Sequence, residues 1–254
     1  MKLRQVTTDV FLVEGTASNW VLIRDGQDLT LIDAGYPKDV DGLVASVQQL
    51  GHRIEDIRGV LITHAHIDHV GAIPALLQRH QVPTYADEHE LPMLRGERHE
   101  QANTWDVVSR CWRPRVAKWA ITIARAGART DIRLPETQSL QANSPLDLPG
   151  APRAVPCPGH TSGHTAYVLA DAGIVVTGDA LITAHPIVAR SGPQQLPAFF
   201  SHAPAQTDAG LDALARLDVD TVLPGHGPVW RGSIKAAVDK AHDSVSTDFS
   251  QGAL

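Results

Sequence analysis

Two cysteines, Cys111 and Cys157, are all that 254 residues hold, too few for a disulfide framework. An excess of base is also missing: 22 Lys and Arg stand against 28 Asp and Glu, a formal charge of −6. That balance argues against a nucleic-acid partner, whose dedicated binder would be basic. No apolar run approaches the roughly 18 residues of a membrane span, so no membrane partner is expected. The first residues, Met1 to Val6, lead straight into an alternating stretch without the apolar block of a signal peptide. These absences predict a soluble, cytoplasmic chain. Internal repeats, low-complexity tracts and a Gly-x-Ser-x-Gly nucleophile elbow are absent too. Histidine, in contrast, occurs 13 times.

The first 35 residues read as β structure, with apolar runs at 10–13, 20–23 and 29–32. Val40, Leu43, Val44, Val47 and Leu50 recur at helical spacing and predict a helix closed by Gly51. A buried-type strand at 59–62, a helix over 73–81 and a short strand at 83–86 follow. From about 91 to 130 the texture changes. Trp105, Val108, Trp112, Val116, Trp119 and Ile123 form a helical stripe broken at Pro114. Strands return at 153–155, 165–169 and 173–178, then a loop over 186–204, a helix over 208–217, a strand at 221–223 and a terminal helix from Ile234 to about Ser246. Strands and helices recurring in both halves predict a sheet-rich α+β or α/β domain.

The sharpest motif is His64-Ala65-His66-Ile67-Asp68-His69, directly after the strand at 59–62. Imidazole nitrogen with carboxylate oxygen is the ligand chemistry of a divalent transition metal. His64 and His66, two apart in extended backbone, share one side and can reach one ion. Three further segments end an apolar strand in a polar residue within a Gly or Pro turn: Pro158-Gly159-His160-Thr161-Ser162-Gly163-His164, Thr177-Gly178-Asp179 and Pro224-Gly225-His226-Gly227. Loops beyond strand ends can converge on one site over a rigid sheet.

Together with Asp33, these segments resemble the metallo-β-lactamase-fold hydrolase superfamily, in particular its glyoxalase II-like and lactonase-like branches. The resemblance implies a single domain over residues 1–254, an α+β, four-layer αβ/βα sandwich with a helical insertion at about 91–130. It implies that His64, His66 and His160 bind a first metal, that Asp68, His69 and His226 bind a second, and that Asp179 bridges them. Two divalent ions follow, zinc first because nitrogen dominates, with iron or manganese compatible. The implied activity is hydrolysis of a small ester, lactone or thioester by a hydroxide between the ions, with Asp68 as catalytic proton carrier. His66 stands where flavodiiron relatives carry Glu. Asp179 supplies a bridging carboxylate that true β-lactamases of this fold lack. No tyrosine lies between Asp179 and His226, where lactonases have one, and the glutathione-binding residues of glyoxalase II are not evident. The alternatives are a mononuclear iron, persulfide-dioxygenase-like enzyme and a β-lactamase-like amide hydrolase.

Asp33 and His164 are expected to orient ligands by hydrogen bonds. His185 and His202, in the loop after Asp179, read first as surface residues and second as substrate contacts, and His52, His80, His89, His99 and His242 as solvated or capping residues. Cys157 reads as a small buried hydrophobe. The 91–130 segment reads either as a helical pair covering core or as a lid over the metals, with Arg110, Arg113 and Arg115 as candidate contacts for a substrate carboxylate.

Overall fold

The computed structural model describes residues 1–102, 104–140 and 144–244. Strands β1 (Lys2–Gln5), β2 (Val10–Glu14), β3 (Asn19–Asp25), β4 (Asp28–Ile32), β5 (Ile57–Leu61), β6 (Thr84–Ala86) and β7 (Gln138–Ser139) form one sheet in chain order. The remaining strands are β8 (Arg153–Pro156), β9 (Thr165–Leu169), β10 (Ile174–Gly178), β11 (Ile182–Ala184), β12 (Ser191–Gln194), β13 (Thr221–Pro224) and β14 (Trp230–Arg231). Five of these make a second sheet in the order β14-β13-β10-β9-β8, while β11 and β12 pair with each other. The helices are α1 (Val40–Gln49), α2 (Ile67–Val70), α3 (Ile73–Arg79), α4 (Leu91–Leu94), α5 (Thr104–Val108), α6 (Pro114–Ala126), α7 (Thr207–Ala215) and α8 (Ile234–Ser244).

Side-chain alternation explains the layering. Along β2 and β3, Val10, Leu12, Val21 and Ile23 face the second sheet, meeting Tyr167, Leu169, Ile174 and Val176. The alternate residues Phe11, Val13, Trp20 and Leu22 face outward onto Leu43 and Val47 of α1 and Ile73 and Leu76 of α3. The second sheet repeats the design, with Val175 and Val222 packed against Leu211 and Leu214 of α7 and Ala237, Val238 and Ala241 of α8. Strands covered on both faces need apolar residues at successive positions, hence the unbroken runs. The result is the expected α+β helix–sheet–sheet–helix sandwich.

Two segments depart from expectation. The Trp stripe is not one buried face: Trp119 is buried, whereas Trp105 and Trp112 are 74% and 72% exposed. Pro114 is the cause. It holds Arg113 in extended backbone (φ −84°, ψ 121°), as the residue before proline prefers. Helix α5 and helix α6 therefore cannot share one continuous stripe. The stretch 186–204 is also more than a loop, because it contributes β12 to the pairing with β11. Residues 245 and 246, the expected end of the terminal helix, lie outside the described residues.

Sheet topology places the strand ends. β4 runs parallel to β5, and β10 parallel to β13. Their C-terminal ends therefore open on a common edge. The two sheets are tied there by Asn19, whose side-chain amide donates to the carbonyls of Pro224 (2.9 Å) and Gly227 (2.8 Å). Tyr167 adds a hydroxyl bond to the Ile62 carbonyl (2.8 Å), and the Thr165 amide donates to the Thr63 carbonyl (2.9 Å).

Candidate metal centre

At the end of β4 the chain turns through Asp33 in left-handed backbone (φ 59°), a conformation Asp tolerates better than most residues. Its carboxylate accepts from the Thr63 amide (2.8 Å), the Thr63 hydroxyl (2.7 Å) and His69 Nδ1 (2.8 Å). One acid thus organises the segment after β5. The Thr63 hydroxyl, its proton given to Asp33, accepts from His64 Nδ1 at 3.0 Å. His226, after β13, donates from Nδ1 to the Ala17 carbonyl (2.7 Å). In His64, His69 and His226 the Nδ1 proton is therefore engaged outward, and Nε2 is turned to the interior, the arrangement that fixes a ligating tautomer.

The inner atoms converge. His160 Nε2 and His66 Nδ1 face each other at 3.0 Å, while His66 Nε2 lies 3.3 Å from the Glu100 carbonyl. Asp179 Oδ2 lies 3.2 Å from His226 Nε2, 3.5 Å from His160 Nε2 and 3.9 Å from His64 Nε2, and its Oδ1 lies 3.4 Å from His69 Nε2. Asp68 Oδ2 lies 3.4 Å from His226 Nε2. Three sets each bring one ligand atom per residue within 4.8 Å of one another: His64–His66–His160, His64–His69–Asp179 and Asp68–His69–His226. All seven residues singled out from the sequence meet here, and Asp179 lies between the two outer sets.

The donor set fits divalent cations. His64 Nε2, His69 Nε2 and Asp179 Oδ1 are buried with no hydrogen-bond partner, each a cost of about 1–3 kcal/mol if left unsatisfied. Nitrogen with carboxylate oxygen suits zinc, iron or manganese. Electrostatics divides the histidines. Burial holds His64 and His160 well below the usual imidazole pKa, helped by the neighbouring imidazoles, and it lowers His66 as well. Burial also opposes charge on His69 and His226, but there the carboxylates prevail. Asp179 and Asp68 raise His69 well above its ordinary value and push His226 up to about 10.

Residues 13–226 match the family pattern of the metallo-beta-lactamase superfamily. The chain belongs to that superfamily. Within it, the chain is 28% identical over 203 residues to the "probable metallo-hydrolase YflN" of Bacillus subtilis, covering 78% of this chain and 74% of that protein. It is 32% identical over 203 residues to a hydroxyacylglutathione hydrolase of Cupriavidus metallidurans, covering 78% of this chain and 58% of the relative. Among solved structures, TTHA1623 in a di-iron-bound form superposes with a TM-score of 0.59 at 26% identity, over 89% of this chain and 95% of that one.

Around these candidate ligands stand groups that the motif alone does not reveal. His164 Nε2 accepts the Asp179 amide (3.0 Å), which leaves its Nδ1 proton for Cys157 Sγ (3.2 Å). His164 thereby fixes the backbone of Asp179. Burial pushes the Cys157 thiol up to about 12, which keeps it an inert thiol. Gly225 is required by proximity, because a Cβ there would fall 2.3 Å from Asp179 Oδ1. Glu90 and Glu100 were not singled out from the sequence. Glu90 accepts from the Ala65 amide (2.7 Å), the Thr161 hydroxyl (2.5 Å) and the Gly163 amide (2.8 Å). Glu100 accepts from the Ser162 amide and hydroxyl (both 2.7 Å) and pairs with Arg98 (2.7 Å). These two acids staple the His160 loop to the His64–His66 segment. In sequence they look like ordinary surface acids.

A cavity of 230 Å³ opens over the centre. Its floor is His66, Asp68, His160, Asp179 and His226, and the insertion forms an apolar wall with Val107, Trp119, Ala120 and Ile123. His185, expected at the surface, is instead buried in this wall between Trp119 and His226, with ring centroids 5.5 and 4.9 Å away. His52 is likewise buried, 3.5 Å from Asp56, not solvated. His202 is exposed, as expected. The three arginines proposed for a substrate carboxylate are turned elsewhere. Arg110 lies over the Phe199 ring, Arg113 over Trp112, and Arg115 donates to the Val188 carbonyl. Arg129 lines the cavity in their place.

Proposed function

We propose that the protein is a binuclear metallohydrolase that cleaves a small ester, lactone or thioester. The observation that carries this reading is the convergence of seven His and Asp side chains from four strand ends on one point, with His64 Nε2, His69 Nε2 and Asp179 Oδ1 buried and unpartnered, beneath a cavity with an apolar wall. His64, His66 and His160 would hold one cation, and Asp68, His69 and His226 the other, with Asp179 shared. Zinc is the proposed metal, and the di-iron form of TTHA1623 is the reason to test iron beside it. Bound divalent cations supply Lewis acidity and bring the pKa of their water towards about 7.

The chain's own residues do the rest. Asp33, Thr63 and the Ala17 carbonyl hold three imidazoles in the ligating tautomer. Asp68 is the proposed catalytic carboxylate: its Oδ2 receives the proton of the attacking water and returns it to the leaving group. Its side chain is 15% exposed, so this carboxylate reaches the cavity. Val107, Trp119, Ile123 and Phe200 offer an apolar substituent a dry surface. No helix among the described residues is long and apolar enough to cross a membrane, and the partner proposed is a small molecule.

The test is elemental analysis of protein purified without added metal, followed by a panel of lactones, thioesters, alkyl esters and β-lactams. About two ions per chain with turnover of an ester, lactone or thioester supports the reading. A single iron with oxygen uptake and no hydrolysis refutes it.

A further inference from the structure

Tyr36 has no role in the ligand set, yet it lines the cavity beside Asp68, Asp179 and His226 and is 2% exposed. Its position is built from both sides. The Tyr36 amide donates to Asp39 Oδ2 (3.0 Å), the Asp39 amide returns a bond to the Tyr36 carbonyl (2.9 Å), and Asp39 Oδ1 is in turn held by the Thr16 hydroxyl (2.5 Å). The following Pro37 is pressed against α2 so closely that a Cβ on Gly71 would fall 2.4 Å from its nitrogen. A residue this firmly seated normally satisfies its own polar group. Here the phenol makes no hydrogen bond among the described residues, and its oxygen is not one of the buried atoms left without a partner, so it opens on the cavity. Burial, then the charges of Asp68 and Asp179, holds its pKa well above the ordinary value. A phenol, whose ordinary pKa is about 10, is an O–H donor at neutral pH.

Resting on the hydrolase reading above, we propose that Tyr36 is a catalytic residue whose hydroxyl donates a hydrogen bond to the leaving-group oxygen of the substrate. Asp179, ionised, is an acceptor only, and Asp68 can offer that oxygen only the one proton it has taken from the water. His66, His160 and His226 direct nitrogen lone pairs towards the metals. Tyr36 is a neutral O–H donor that lines the cavity together with Asp68, which returns the proton. The hydroxyl keeps its own proton. It stabilises charge on the oxygen as the acyl–oxygen bond lengthens, so the benefit grows with the basicity of the leaving group.

The experiment uses the metal-loaded protein and Tyr36→Phe. Calorimetry compares ethyl phenylphosphonate with phenyl(propyl)phosphinate, in which CH₂ replaces the ester oxygen. The wild type is expected to bind the phosphonate about tenfold more tightly, and Y36F to bind both alike. In turnover, kcat of Y36F is expected to fall about 10²-fold for an ethyl ester and less than about threefold for the corresponding p-nitrophenyl ester, with KM and metal content unchanged. A phosphonate preference retained in Y36F, or an equal kcat loss for both esters, overturns the assignment and leaves the hydrolase reading intact. Failure of the wild type to bind either probe and to cleave either ester overturns the hydrolase reading, and Tyr36's role with it.

Discussion

Loading the two ion sites is expected to release very different numbers of protons. The first set, His64, His66 and His160, is buried and held neutral, so an ion entering it displaces none. The second set includes His69 and His226, both raised by Asp179 and Asp68, the latter to about 10. Ligation must then displace a proton from each, so about two are expected to be expelled. A protonation step is worth about 1.4 kcal/mol per pH unit. The second affinity is therefore expected to rise about a hundredfold per pH unit between pH 6 and 8 while the first stays flat. Chelator-stripped protein titrated with zinc in two buffers of different ionisation enthalpy reads the protons directly. His226→Asn should lower the release on the second step to about one. Equal release from the two steps, or a second affinity independent of pH, would refute the electrostatic division of the site.

Three further outcomes follow from the contacts. Asp33→Asn keeps the shape and tolerates the positive φ, but it offers an amide N–H where His69 Nδ1 and the Thr63 hydroxyl donate. Affinity at the second site should fall about 10–100-fold in a metal titration, and stability by about 1–3 kcal/mol in urea unfolding. Gly225→Ala places a methyl against Asp179 Oδ1; elemental analysis should show lost metal, with the fold retained by circular dichroism. Glu90 is buried and pushed up to about 7, burial outweighing its three donors. A carboxyl raised in the folded state contributes stability that is full below about pH 4.5 and lost as pH rises through about 7. The wild type should therefore lose stability relative to Glu90→Gln between pH 5 and 8 in parallel melts, and a difference independent of pH would count against this.

The strands and the residues that meet at the candidate site were legible in the sequence because apolar runs and the motifs that end them are local signals, whereas the layering and the ligand roles followed from the family resemblance. Continuous apolar runs mark strands covered on both faces, and four polar residues each terminate such a run. The supporting shell was not legible. Glu90 and Glu100 matter through bonds to residues 25 to 73 positions away, and nothing local separates a buried acid from a solvated one. Tyr36 follows an ordinary strand-end turn and enters the cavity only because Pro37 packs under α2. His185 belongs to a stretch with weak periodicity, and its burial depends on Trp119 arriving from the insertion. The exposed Trp105 and Trp112 show the converse failure: the break at Pro114 was legible, but local periodicity could not say which side of it would be buried.

Every candidate ion set draws on both sheets. His64, His66, Asp68 and His69 follow β5 in one, whereas His160, Asp179 and His226 follow strands of the other. No candidate set is complete within one half, so ions bound there would act as rivets across the seam. Stripping them should loosen that seam before it melts either sheet, and their binding free energy adds to the stability of the docked form alone.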